Sequence, residues 1–507
     1  MTDQTGISDR VGRLFLEAVR LDMETLEDAL ERARRALEHG VGGFIVFGGA
    51  EPDVARLTGA LREEADRPLW FAADLERGAG QQFDGASTLP PPAALAGHPD
   101  PERAVRRAAE ITAHEAREMG INWVYAPVLD LDVEPENPIV GTRSFGDDPA
   151  RVGELGRAWV EACQDAGVAA CAKHFPGHGR TVEDSHLAFP VVRADRETLE
   201  ADLAPFRRAA GRVAAMMTAH VGYPALGGEG PATLEPAILR DLLRDEMGFE
   251  GLVISDALVM EGFGGGTSAT EGWRAVRALR AGCDLLLYPS DLEQSIRTIR
   301  QAAGQDAELE ASVESALSRS RSALERFPPD PSAGETVAAS PAEAAEAADL
   351  ALGCVKARGR GPGELLDRDR PLRLHAVSDD AGPFAAGRFG EFLAAGLDER
   401  GWDLEVAEGP ADGDEAADGD EAPGGDGEGQ VLVALEATPR AWKGRASLSE
   451  ASASAVGAAL DAAASGYLVL FGHPRILDQL DREGAVAWAS EPVMERAAAR
   501  WLDERVP

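Results

Sequence analysis

Short β-rich runs recur along the first 325 or so residues, and amphipathic Ala/Arg/Glu-rich segments fill the intervals, which restricts the chain to very few folds. The runs are 43–47 (GFIVF), 69–74, 122–130, 168–172, 213–220, 251–256 and 283–288. Residues 14–19 (LFLEAV) read equally as an eighth strand or as the end of an N-terminal helix, because so short a run has no decisive period. Helical patterns over 101–119, 149–165 and 235–247 lie between the runs. Strands separated by helices pair in parallel through right-handed crossovers. About eight such units suit a (β/α)8 TIM-like barrel, with a doubly wound sheet as the other arrangement. Either fold collects chemistry where strands end, and Asp74, Asp130, Lys173, His220 and Asp256 all fall at or just past such ends.

A chain of 507 residues exceeds what one hydrophobic core supports, so a second domain is expected. The barrel is assigned to 1–326 and a Pro-rich then Ala/Glu-rich linker to 327–345. A smaller α/β domain takes 346–507, with strands at 430–435 and 466–471 around a helix at 449–465. Within it, the acidic Gly-rich loop 408–429 has nine carboxylates, seven glycines and no basic residue, so it cannot bury a core and reads as solvated.

The formal net charge of −38 excludes nucleic acid and anionic membrane as partners. Only Lys173, Lys356 and Lys443 among the 50 basic residues are lysine. Excess carboxylate with so little lysine matches proteins that work in high internal salt, where screening removes self-repulsion; a GC-rich genome would give the same Arg bias. No signal-peptide pattern and no long apolar run is seen, so a cytoplasmic location is expected. Cys163, Cys171, Cys283 and Cys354 are scattered without CxxC spacing and read as small buried hydrophobes.

The densest chemistry is the run 173–186, KHFPGHGRTVEDSH, which holds three of the chain's nine histidines together with Lys173, Glu183 and Asp184. It follows an apolar run and is punctuated by Gly and Pro, as a functional loop after a strand would be. His178 is expected to pack and orient its neighbours. Asp184 and His186 stand two apart, so in an extended loop they point the same way, and a carboxylate beside an imidazole raises its pKa. That pair suits a general acid/base. Asp256 ends the run GLVISD, where a carboxylate is a nucleophile, a metal ligand or a helix cap. Pairing it with a proton shuttle on another loop favours the nucleophile. His174 and His178 are four apart, but Pro176 and Gly177 between them forbid the helix that would align them on a metal, so neither a metal nor another cofactor is expected.

KHFPGHG…DSH, Asp74-x-Glu76, the stretch 137–145 (NPIVGTRSF) and the SDAL segment at Asp256 together resemble the β-N-acetylglucosaminidase branch of glycoside hydrolase family 3, over roughly residues 10–325. The resemblance implies a retaining exo-β-N-acetylglucosaminidase acting on amino-sugar fragments of cell wall or chitin. It implies a smaller α/β sandwich for the second domain, Asp256 as nucleophile, His186 as acid/base and Asp184 as its partner. Asp74, Arg143, Lys173 and His174 would hold the sugar. The family's arginine eight residues beyond the first Asp is here Gln82, with Arg77 nearby. A phosphorylase using the same residues and a β-glucosidase are the rival enzymes. A non-catalytic sugar-binding protein would require a broken catalytic set, whereas Asp184, His186 and Asp256 are all present.

Overall fold

The computed structural model describes residues 10–185, 188–263, 268–331, 333, 340–379, 389–407, 429–437 and 447–507. The chain divides into two compact units. The first comprises 1–87, 102–140 and 144–343; the second comprises 88–101, 141–143 and 344–507.

The first unit is a closed, all-parallel barrel. Its strands are β1 Phe15–Arg20, β2 Gly43–Phe47, β3 Trp70–Ala73, β4 Trp123–Val124, β5 Ala169–Phe175 and β6 Ala215–Thr218. A hairpin of β7 Gly222–Tyr223 and β8 Gly228–Pro231 follows, and then β9 Leu252–Ala257 and β10 Leu285–Leu287. The ambiguous run at 14–19 is a strand: β1 pairs with β2 on one side and with β10 on the other, and so closes the ring. The run 122–130 is shorter as a strand than its composition suggests. Pro127 has no N–H to give to a ladder, so regular pairing covers only Trp123–Val124 and resumes as a single bridge from Val128 to Lys173.

Helices start where the sequence supplies a cap. Thr25, Asp148, Asp195, Asp291 and Asp306 each accept a hydrogen bond from the backbone N–H three residues on, at the first turns of Leu26–Glu38, Pro149–Asp165, Arg196–Ala210, Leu292–Ala303 and Ala307–Arg326.

The barrel interior follows the strand period of two. Leu16 and Ala18, Trp70 and Ala72, Trp123 and Tyr125, Ala169 and Cys171, Ala215 and Met217, Leu252 and Ile254, and Leu285 and Leu287 form one buried cluster, so each strand contributes alternate residues. The Trp70 and Trp123 rings meet at 4.7 Å, and Trp123 and Tyr125 at 5.2 Å. Burying each such side chain stabilises the fold by roughly 1.5–3 kcal/mol. All four cysteines are free and buried.

The second unit carries a six-stranded sheet, ordered β11 Lys356–Arg358, β16 Gly484–Val486, β15 Ser465–Gly472, β14 Gln430–Ala437, β12 Leu372–Ser378 and β13 Leu404–Val406. All pairs are parallel except the β11 edge. β14 is buried along its whole length, as a central strand covered on both faces must be. Of the acidic loop 408–429, all but Gly429 lies outside the described residues. Among the described residues no helix is long and apolar enough to cross a membrane.

Buried Asn122 ties the barrel together. Its Oδ1 accepts from the Phe71 N–H at 2.8 Å, and its Nδ2 donates to the Phe327 carbonyl at 3.0 Å. Asn122→Ala leaves both backbone groups buried and unpaired, and should cost about 2–4 kcal/mol. Urea unfolding followed by tryptophan fluorescence measures it; a loss below about 0.5 kcal/mol would contradict this role.

Candidate active site

Period two also builds the barrel mouth. Counting outward from the interior residues Ala72, Cys171 and Ile254, the next side chains on the same face are Asp74, Lys173 and Asp256. Lys173 is buried, and its Nζ donates to Asp74 Oδ1 at 2.6 Å and pairs with Glu76 Oε1 at 2.6 Å. A lone buried ammonium would be costly, and the two carboxylates offset that cost. The convergence of these groups shows in their fields. Burial raises the Cys171 thiol pKa, Lys173 opposes the rise, and Asp74 and Asp256 add to it. Burial raises the Tyr125 phenol well above its ordinary value, with Cys171, Asp74 and Asp256 contributing. Asp256 itself is half-buried at the end of β9, and one of its oxygens accepts from the Ala257 N–H at 2.8 Å.

The β5 loop is organised by Asp130, which is fully buried. Its Oδ1 accepts from the backbone N–H of His174 at 3.1 Å and of His178 at 2.7 Å, and its Oδ2 lies 2.7 Å from His174 Nδ1. A carboxylate can only accept, so Nδ1 of His174 carries the proton. Burial works against the charge on Asp130, but His174 and His178 outweigh it, and the carboxyl is held below its ordinary range.

His178 is the packed histidine of the run. Its Nδ1 lies 2.8 Å from Thr181 Oγ1 and its Nε2 lies 3.0 Å from Ser185 Oγ. Burial, then the neighbouring His174, lowers its pKa to about 4. Asn137 Nδ2 donates to the His178 carbonyl at 3.0 Å, and the Tyr223 hydroxyl donates to the Gly177 carbonyl at 2.7 Å. At Gly179 a Cβ would stand 1.9 Å from the Leu131 carbonyl oxygen, so only glycine fits.

Asp184 is buried on this loop. His186 and Leu187 lie outside the described residues. The Gly262 N–H donates to the Ser185 carbonyl at 2.9 Å, which joins the loop of Asp184 to the segment that follows Asp256. His220 faces inward from the end of β6, with Nδ1 2.8 Å from Thr233 Oγ1 and Nε2 3.2 Å from the Ala257 carbonyl oxygen. Arg143 ends the short turn Gly141–Arg143, which clusters with the second unit. Gln82 follows the turn Ala79–Gln81, whose Gln81 side chain accepts from the Arg77 N–H at 2.9 Å. Among the described residues no group of three or more His, Cys, Asp or Glu side chains is placed to hold a metal.

Sequence reasoning missed the loop's scaffold. Asp130 was visible only as a strand-end acid; Asn137 and Tyr223 reach partners 44 and 46 positions away, and Thr181 and Ser185, three and seven positions from His178, are small hydroxyl residues with no pattern of their own.

The family described as "Glycosyl hydrolase family 3 N terminal domain" matches residues 10–322. A β-hexosaminidase of Thiobacillus denitrificans is 40% identical over 289 residues, 54% of this chain and 78% of that protein. A Cellulomonas fimi protein named β-N-acetylglucosaminidase/β-glucosidase is 37% identical over 273 residues, 51% of this chain and 48% of its own length. Among solved structures, a glycoside hydrolase family 3 β-N-acetylglucosaminidase from Paenibacillus sp. str. FPU-7 superposes with a TM-score of 0.81 at 27% identity, covering 99% of this chain and 97% of the other.

The buried His178 makes a pH prediction. Its folded pKa of about 4 lies below the ordinary 6.5, so between these values the unfolded chain binds a proton that the folded chain refuses. Stability therefore falls as pH drops from 6.5 towards 4, by about 3 kcal/mol from this group. His178→Gln should be less stable at pH 7 and should lose less on acidification across that window. Thermal unfolding at half-unit pH steps tests this, and parallel curves for both proteins would contradict it.

Proposed function

The chain belongs to glycosyl hydrolase family 3, and from that premise we propose that it is a retaining exo-β-N-acetylglucosaminidase that removes terminal β-linked N-acetylglucosamine from amino-sugar fragments. The observation that supports this reading is the hydrogen bond from Gly262 to Ser185, which joins the loop of Asp184 to the segment that follows Asp256.

In this mechanism the Asp256 carboxylate attacks the anomeric carbon as the glycosidic bond breaks, and His186 gives its proton to the leaving oxygen. Asp184 orients the imidazole and stabilises its protonated form. Water then yields a proton to neutral His186 and attacks the glycosyl ester, returning free Asp256. A neutral base has an advantage here over the carboxylate of the usual retaining pair, since it adds no second full negative charge near the nucleophile. Asp74 and Lys173, already paired at the mouth, and His174, fixed by Asp130, hold the sugar hydroxyls and the acetamido group.

The test is hydrolysis of the p-nitrophenyl β-N-acetylglucosaminide, the matching β-glucoside and chitobiose, each with and without phosphate. The acetamido sugar should turn over faster than the glucoside. His186→Ala should lower kcat/KM on chitobiose by about 10²–10⁴-fold, and by less on the p-nitrophenyl substrate, whose leaving group needs no proton. Unchanged chitobiose turnover in His186→Ala would contradict the acid/base role. Accumulation of a sugar 1-phosphate would reassign the reaction to a phosphorylase.

A further inference from the structure

The layer of the mouth that holds Asp74, Lys173 and Asp256 has two more members. Counting outward by two from the interior residues Ala18 and Ile45 gives Arg20 on β1 and Phe47 on β2, which stand directly opposite each other in the strand register. In the ring, β10, β1 and β2 lie side by side, with β9 on one flank and β3 on the other. Their ends therefore span the arc of the mouth between Asp256 and Asp74, on the side away from Lys173.

Alternation breaks on β10. Leu285 and Leu287 face the interior, so an extended Tyr288 would point out towards the helices. Its φ is instead +49°, a left-handed conformation that a bulky residue adopts only where its surroundings impose it. The Tyr288 N–H donates to the Leu16 carbonyl at 2.8 Å and the Ser290 N–H to the Glu271 carboxylate at 3.1 Å, so the chain is held on both sides of the turn. The Tyr288 ring packs back on the interior cluster, with its centroid 6.2 Å from that of Phe47. Arg20 fastens the pair: its guanidinium lies 5.0 Å from the centroid of the Phe47 ring, and its Nε and Nη2 donate to Asp22 at 3.0 and 2.8 Å. Rings placed for packing alone would be buried, as Trp70 and Trp123 are beneath them, whereas Phe47 and Tyr288 are only half-buried. An open aromatic face kept at the mouth by a strained backbone suits the apolar side of a ligand.

We propose that Tyr288 and Phe47 form the apolar wall of the sugar pocket, against which the C–H face of the terminal N-acetylglucosamine packs, and that Arg20 is a positioning residue that holds this wall. The inference rests on the glycosidase reading above. A pyranose carries C–H groups on its faces and hydroxyls around its rim, so an aromatic wall takes a face while Asp74 and Lys173 take the rim. The wall touches the sugar in the ground state and in the transition state alike, and so acts on KM more than on kcat.

Steady-state kinetics on the p-nitrophenyl β-N-acetylglucosaminide and titration calorimetry with N-acetylglucosamine test the wall. Glycine suits a left-handed backbone, so Tyr288→Gly removes the ring without adding strain. It should raise KM and the Kd of the sugar by about tenfold or more, with kcat within about threefold of wild type. Tyr288→Phe keeps the ring and should stay within about threefold of wild type in all three. Arg20→Gln should raise KM, and Arg20→Lys, which keeps a cation over Phe47, should restore it. Phe47→Leu keeps apolar bulk and should raise KM by about threefold or more, so the wall stays testable if Tyr288→Gly folds poorly. Unchanged KM and Kd in Tyr288→Gly or in Phe47→Leu overturns the proposal, as does a fall in kcat alone. Sugar binding that the variants weaken, without turnover in the wild type, would contradict the hydrolase and leave the wall standing. Hydrolysis indifferent to the variants would do the reverse, and a wild type that neither binds nor turns over the sugar overturns both.

Discussion

The active-site end of the barrel depends on one buried charge. Asp130 has no exposure to solvent, and a carboxylate in that position is tolerable only if its lone pairs are filled. Three donors fill them, all from the β5 segment: the backbone N–H groups of His174 and His178 and the ring of His174. The cost of burying the charge thus becomes a constraint on a loop rich in glycine, which has much conformational freedom to lose. The turn from His174 to His178 is held at one end of a segment whose other end carries Asp184 and meets the loop after Asp256. Arg180 adds a second, half-buried tie through Nε to Asp202 at 2.6 Å.

The same economy governs the mouth. Strand alternation aligns Asp74, Lys173 and Asp256 above a floor of Trp70, Trp123, Tyr125 and Cys171, without any special device. Once these charges face one another across a confined space, their balance follows. The Lys173 ammonium is shared by Asp74 and Glu76, while Asp256 accepts the Ala257 N–H; in the proposed mechanism its carboxylate is the group that attacks the cationic centre. In the proposed reaction, charges held in place this way stabilise developing charge without any reorganisation of solvent.

How much of this was legible beforehand follows the range of each interaction. The barrel could be read because strand and helix periods are local, and the strand-end positions of Asp74, Lys173 and Asp256 followed from counting by two. The first strand was ambiguous, since LFLEAV gains its strand character from pairing with residues 43–47 and with Leu286 and Leu287, which are distant in sequence. The run at 122–130 was overextended because hydrophobicity conceals the missing donor of Pro127. The packed role of His178 was expected, yet its partners Thr181 and Ser185 were not named, and the hold of Asn137 and Tyr223 on the loop was invisible: nothing in a sequence shows which backbone carbonyl a distant amide or phenol will reach.

The account stands most directly on covalent capture at Asp256. A slow β-N-acetylglucosaminide bearing an activated leaving group and a 5-fluoro substituent, mixed with the protein and digested, should give one peptide whose mass is raised by the sugar, with the modification on Asp256, and Asp256→Asn should give none. Bound sugar with no labelled peptide in the wild type, or a label on another carboxylate, would contradict the assignment of Asp256 as the nucleophile.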